Sequence, residues 1–312
     1  MESDAAFQQC LEAAYALAEA SLEGAFGEQR ASWIQRLEAE HDDLTDLLRD
    51  LLERGDAESG LRLISLLQEL WFEPQHTAEA LDWLTRFLAL PAAQARTAIR
   101  APGLDMAGAC ALNLGNYTEA RRLKEEALDI FRECGTPLQI AYTLFHLGHL
   151  SGFVWNDYPA AREYYQEGLD VLHAASHKEG IAHGMANLGI ALAGMGKAMQ
   201  AAPLIAESLQ RYCEMGSLYN MELSLRRAAA VAAGLSLAET ALRLAGASER
   251  QRLALGVSEP QVFLQAYARM LEPTLSRLDE ASQARLRAEG ASWSLDHAAS
   301  IALEMLTDAK EE

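Results

Sequence analysis

Leu114-Gly115-Asn116-Tyr117-Thr118-Glu119-Ala120-Arg121, Asn156-Asp157-Tyr158-Pro159-Ala160-Ala161-Arg162 and Lys197-Ala198-Met199-Gln200-Ala201-Ala202 read as three versions of one turn. Tyr117, Tyr158 and Met199 stand 41 residues apart, and Ala120, Ala161 and Ala202 keep the same step. A small residue, Ala107, Gly148 or Gly189, lies 13 positions ahead of each alanine, and Leu147-Gly148 recurs as Leu188-Gly189. Leu128, Leu169 and Leu209 then mark a second helix. A fixed period of this length signals stacked helix-turn-helix units, none of which buries its apolar face alone. The spacing predicts an all-α chain whose working surface is built by stacking.

Working outward, the clear repeats run over about 98–139, 140–180 and 181–220. Cys134-Gly135-Thr136-Pro137, Ser176-His177-Lys178-Glu179-Gly180 and Met215-Gly216-Ser217 are their connecting turns. A divergent repeat precedes them (about 55–97), with Trp83 and Phe87 four apart on its second helix. A degenerate one follows (221–247); its turn at Ala233-Gly234-Leu235-Ser236 reads as shortened, because Ala241 falls 39 residues after Ala202. Residues 1–54 and 248–312 then form atypical helical caps, as solenoid ends must present a polar face to water. In the first cap, a helix over 5–22 closes at Gly24 and Gly27, and one helix spans Ala31 to Glu53. Next come Ala57 to Phe72 and Thr77 to Leu90; the tail carries helices near 259–271, 279–289 and 294–307. Trp71, Phe72, Trp83, Phe87, Phe131 and Tyr212 read as anchors between helices, while Trp155 falls in a turn.

Of 312 residues, half are hydrophobic and eight are proline, which favours packed helices over disorder or strands. Forty-five acidic residues against 26 basic ones leave a net charge of −19. Such a chain repels phosphate backbones, so nucleic acid is not an expected partner of this segment. Cys10, Cys110, Cys134 and Cys213 are too scattered for a zinc motif or a disulfide framework. Met1-Glu2-Ser3-Asp4 does not resemble a leader. No apolar run approaches the roughly 18 residues of a membrane span, so the expected location is cytoplasmic. Gly194-Met195-Gly196-Lys197 is followed by Ala198 where a phosphate loop needs Ser or Thr. His173 and His177, four apart, are the nearest approach to a metal pair, but no ligand-spaced Cys or carboxylate accompanies them. Neither catalysis, nor a cofactor, nor a metal is expected.

The pattern small-x9-Tyr-x2-Ala, with Met199 in the third Tyr position, resembles the tetratricopeptide repeat, in a form longer than the usual one. Trp33-Ile34-Gln35-Arg36-Leu37-Glu38-Ala39-Glu40-His41-Asp42-Asp43-Leu44, Arg54-Gly55-Asp56-Ala57 and Leu70-Trp71-Phe72 are similar to the segment opening the repeat region of bacterial STAND-type ATPase regulators. Ala245-Gly246-Ala247 with Arg250, and Trp293-Ser294-Leu295-Asp296-His297-Ala298, resemble its closing helices. The resemblance implies a right-handed superhelix that senses a peptide, a protein or a small inducer in bacterial signal transduction and transcription regulation. The alternative is a scaffold or adaptor for complex assembly. In such repeats the first helix of each pair lines the groove, which points to Tyr142, Phe145, His146 and His149, then His183 and Asn187, then Arg226 and Arg227. A guanidinium fork suits carboxylate or phosphate. The competing reading pairs both arginines with Glu222 and other nearby carboxylates.

Overall fold

The computed structural model describes residues 2–23, 30–256 and 259–309, and among these all regular structure is helical. The expected stop at Gly24 and Gly27 lies outside the described residues. The chain divides into two compact units, residues 1–136 and 137–312.

In the first unit α1 (Glu2–Glu23), α2 (Arg30–Ala39), α3 (His41–Glu53) and α4 (Ala57–Leu66) are followed by α5 (Gln68–Trp71), α6 (Thr77–Leu88), α7 (Arg100–Asn113) and α8 (Tyr117–Cys134). Two helices expected to be continuous are broken. The span 31–53 turns at Glu40 between α2 and α3, and 57–72 is interrupted at Leu67 between α4 and α5. Periodicity cannot see such breaks, because the apolar stripe (Leu37, Leu44, Leu48, Leu51) is buried on both sides of the first one. Trp71, Trp83, Phe87 and Phe131 are buried. Gly60 is where α6 closes on α4: a Cβ there would fall 2.2 Å from the Phe87 ring.

The second unit begins with α9 (Pro137–His149), which runs on into one π-helical turn, Leu150–Val154. It continues through α10 (Tyr158–Ala174), α11 (Lys178–Gly194), α12 (Ala198–Met215), α13 (Leu218–Gly234) and α14 (Ala238–Ala254). The tail supplies α15 (Gln261–Leu275), α16 (Glu280–Ala291) and α17 (Leu295–Asp308). Consecutive helices from α9 to α14 pack on one another, α16 lies on α14, and α17 lies on α12 and α13.

The repeat is regular at the turns. Each helix pair is joined by three residues with a left-handed middle one: Gly115, Asn156, Gly196 and Ser236, at steps of 41, 40 and 40. Ala120, Ala161, Ala201 and Ala241, each the fourth residue of its second helix, are wholly buried. The 221–247 turn is therefore not shortened; the register slips by one at Met199-Ala202, where the sequence offers two adjacent alanines. The small residue of the first helix is Gly108, Gly148 or Gly189, facing Lys124, Tyr165 or Ile205, the eighth residue of each second helix. Gly108 thus takes the place expected of Ala107. From these glycines to the left-handed residue is seven positions, except eight after Gly148. The extra residue is the one absorbed by the π turn, as such turns are single-residue insertions in an α-helix.

Candidate functional site

The π turn decides what the second unit presents. It sets His149 and Phe153 ring on ring, 5.5 Å apart and 7° from parallel, on the face that α9 shares with α11 and α13. Tyr142 stacks on His183 at 5.4 Å, and Phe145 lies 5.5 Å from the same imidazole. His146 stands 6.3 Å from His149. Asn187 Oδ1 accepts from Arg227 Nη2 at 2.7 Å and lies 3.4 Å from His149 Nε2. All eight residues picked from the sequence fall within this unit, but at different depths. Tyr142, His146, His149 and His183 are half-buried, whereas Phe145, Asn187, Arg226 and Arg227 are buried. Phe145 is a core side chain, wedged against Gly168 and Gly184.

The two arginines have different fates. Arg226 donates to Glu222 at 2.8 Å and also pairs with Glu259; Ser248 holds the same Glu222 oxygen at 2.6 Å. Burial works against the Arg226 charge, but Glu259 and Glu222 outweigh it and hold the guanidinium above its ordinary range. The competing sequence reading is therefore met for Arg226. It is not met for Arg227, which is 1% exposed and, among the described residues, has no carboxylate within ion-pairing distance. Its Nε and Nη1 lack an aligned protein acceptor, as does the donor Asn187 Nδ2. A buried cation in this state is costly unless something else meets it.

Across this face lies α15. Phe263 packs 5.7 Å from His149 and 5.3 Å from Phe153, Tyr267 packs 5.4 Å from Phe153, and the Arg226 guanidinium lies over the Tyr267 ring at 5.2 Å. Arg269 Nη2 donates to the Phe153 carbonyl at 2.9 Å. Phe263 and Tyr267 stand four apart on one side of α15, and Glu259 lies in the non-helical segment two residues ahead of it.

The tetratricopeptide repeat profile matches residues 103–174, across the second and third helix pairs of the sequence repeat. Residues 103–174 thus carry the tetratricopeptide-repeat pattern. Two solved structures are similar to it in fold. One is a Signal Transduction ATPase with Numerous Domains protein with a tetratricopeptide repeat sensor from Pyrococcus horikoshii, at 15% identity and a TM-score of 0.53; the match covers 88% of this chain and 46% of that one. The other is BtubC from P. vanneervenii, at 16% identity and a TM-score of 0.51, covering 68% of this chain and 92% of that one. No curated protein matches the sequence. Among the described residues no helix is long and apolar enough to cross a membrane.

Within this face burial holds two imidazoles and two phenols neutral. Burial, reinforced by His146, His183 and Arg227, pushes the His149 imidazole well below its usual range against the pull of Asn187. Burial, then Arg227 and His146, pushes His183 down to about 3. Burial likewise raises the Tyr165 phenol well above its usual range and, against Arg227 and Arg226, raises that of Tyr267. Arg227 thus lies among neutral imidazole and phenol rings, beside the ion-paired cluster of Arg226, Glu222 and Glu259.

Sequence reasoning missed Phe153, Tyr165, Glu259, Phe263 and Tyr267. The first depends on a π turn that leaves no local signature. The last three come from a tail with no repeat register, though their four-residue spacing was legible. His173 and His177 do not form a pair facing one metal: His177 Nδ1 caps α11, accepting from Gly180 N at 3.0 Å.

Proposed function

We propose that the second unit is a non-catalytic receiving surface for an acidic, aromatic helical segment of a partner protein, and that α15 occupies this surface as its intrachain counterpart. The observation that supports the reading is Arg227, a buried guanidinium with no carboxylate partner among the described residues, beside an Arg226 already paired with Glu222 and Glu259. A helix laid into an apolar groove, anchored every three or four residues, is a common mode of peptide recognition. The fold belongs to a class of protein-interaction modules, and its likeness to a sensor-bearing signalling ATPase supports a role as the sensing part of a cytoplasmic bacterial regulator. A small anionic inducer, meeting Arg227 alone, is the second reading, favoured by the unmatched donors of Arg227 and Asn187. A scaffold whose groove stays empty fits less well with a face that the chain itself covers.

The test uses a fluorescent peptide spanning residues 259–275 and the full chain. The Phe263→Ala/Tyr267→Ala double variant loosens the resident helix and is expected to bind the peptide; the wild type binds it at least tenfold more weakly. Carrying Glu259→Gln in the peptide weakens binding to the loosened variant. A loosened variant with an unchanged circular dichroism spectrum that ignores the peptide overturns the proposal.

A further inference from the structure

The break at Glu40 has a chemical consequence in the first unit. It starts α3 at His41, and the α5–α6 connection brings His76 and Glu79 up to it. His41 Nε2 lies 3.0 Å from Glu79 Oε2, and His76 Nδ1 lies 3.9 Å from that same oxygen. The two imidazole rings are 4.5 Å apart. One ligand atom from each of the three residues falls within 4.8 Å of the others. The side chains are sheltered, with His76 12%, His41 20% and Glu79 33% exposed. The buried Trp71 stands edge-on to both imidazoles, at 6.1 and 6.4 Å.

What separates this cluster from an ordinary hydrogen-bonded pair of histidines is its surroundings. The far nitrogen of His76, Nε2, faces Glu38 Oε1 at 3.1 Å, and that carboxylate is itself held by Gln75 Nε2 at 2.9 Å. The far nitrogen of His41, Nδ1, faces Asp42 Oδ1 at 3.7 Å. The far oxygen of Glu79, Oε1, accepts from Trp83 Nε1 at 3.2 Å, which leaves Oε2 turned toward the histidines. Trp83 thus holds Glu79 from behind by a hydrogen bond, while Glu38 and Asp42 stand within ion-pairing reach of the outer nitrogens of His76 and His41. Carboxylates behind histidines and a donor behind the carboxylate are the arrangement that orients and strengthens metal ligands.

We propose that His41, His76 and Glu79 bind a divalent first-row transition metal, zinc by its ligand preference, with Glu38, Asp42 and Trp83 as positioning residues. Two imidazoles and one carboxylate suit zinc and its neighbours, whereas calcium and magnesium prefer all-oxygen sets. Ligands about 2.0–2.1 Å from a tetrahedral ion stand about 3.4 Å from one another, so a small side-chain rotation closes the present cluster around it. Water completes the coordination. The ion ties the start of α3 to the start of α6, making it a staple across the break at Glu40. The ligands come from two helices, 35 and 38 residues apart in sequence, which is why no motif announces them.

The experiment is calorimetric titration of zinc chloride into the chelator-stripped full chain, with a melting curve and a zinc-edge X-ray absorption spectrum of the loaded protein. Expected are one high-affinity zinc per chain, a raised melting temperature, and a spectrum with two imidazoles, oxygen and no sulfur. His76→Asn and Glu79→Gln each weaken zinc binding at least tenfold and Glu38→Gln about tenfold, while His173→Asn/His177→Asn binds as wild type and magnesium gives no heat. Absence of stoichiometric zinc uptake by the wild type, sulfur in its spectrum, or unweakened binding by folded His76→Asn overturns the proposal. Should His76→Asn fail to fold, Glu79→Gln decides in its place: folded Glu79→Gln that binds zinc as tightly as the wild type overturns the proposal.

Discussion

Arg226 and Arg227 are adjacent on α13, equally charged and both buried, yet replacing them by methionine has opposite consequences for stability. Removing Arg226 strands Glu222, which is wholly buried and left with Ser248 alone. Stripping one member from a buried ion pair costs about 3–5 kcal/mol. Removing Arg227 strands no carboxylate; it relieves a desolvated charge whose aligned hydrogen bond is to the neutral Asn187. Exchanging such a charge for an apolar side chain of similar volume is neutral or stabilises by about 1 kcal/mol or more. Urea denaturation of Arg226→Met and Arg227→Met is therefore expected to move the midpoint down for the first and to leave or raise it for the second. A comparable loss in both variants would mean that Arg227 has structural partners of its own. A residue retained against stability points to binding, so Arg227→Met is also expected to abolish capture of the 259–275 peptide by the loosened variant.

Among elements, α14 crosses α16 in the second unit at two glycines, each facing the other helix's backbone. A Cβ on Gly246 would lie 2.1 Å from the Arg287 carbonyl oxygen, and one on Gly290 would lie 1.8 Å from that of Arg243. Neither obstacle is a side chain that rotates away, so the helices must separate, at the upper end of the roughly 1–3 kcal/mol typical of overpacking. Gly246→Ala and Gly290→Ala should each lower the urea midpoint by the equivalent of about 3 kcal/mol. Gly55→Ala meets no neighbour and feels only its left-handed backbone, φ +70°, so it should cost about 1 kcal/mol. Equal losses in all three would refute the crossing argument. The helices of the repeats were legible in the sequence because turn, alanine and glycine recur together. Their exact register was not, because Ala201-Ala202 offers two equivalent anchors and a π turn adds a residue between Gly148 and Asn156 without disturbing the apolar pattern. The candidate site was legible on α9, α11 and α13 and invisible on α15, since which surface a tail helix covers depends on contacts more than 100 residues away, such as Arg269 with the Phe153 carbonyl.

At the scale of the whole molecule, acidification sets two effects against each other. At neutral pH the chain carries a net charge of −19, and self-repulsion of that kind opposes the compact state. Lowering the pH from 7.5 to 5 brings the net charge toward zero and reduces the repulsion, a gain muted at physiological salt by a screening length of about 8 Å. His149 and His183 act in the other direction. Their folded values lie below the ordinary 6.5, His183 at about 3, so between those limits the unfolded chain binds protons that the folded chain refuses. Their contribution to stability is fully present above pH 6.5 and is lost progressively as the pH falls toward the folded value. At pH 5 the loss is on the order of 1–2 kcal/mol for His183, and His149 adds to it in the same direction, together more than a screened change of a few charges among many returns. Stability in urea should accordingly fall between pH 7.5 and 5 in 150 mM salt, although the net charge moves toward zero. His183→Gln, which removes one of the two refused protons, should flatten that slope measurably. A midpoint that rises on acidification, or a slope unchanged in His183→Gln, would show that charge repulsion rather than the sealed histidines governs the acid limb.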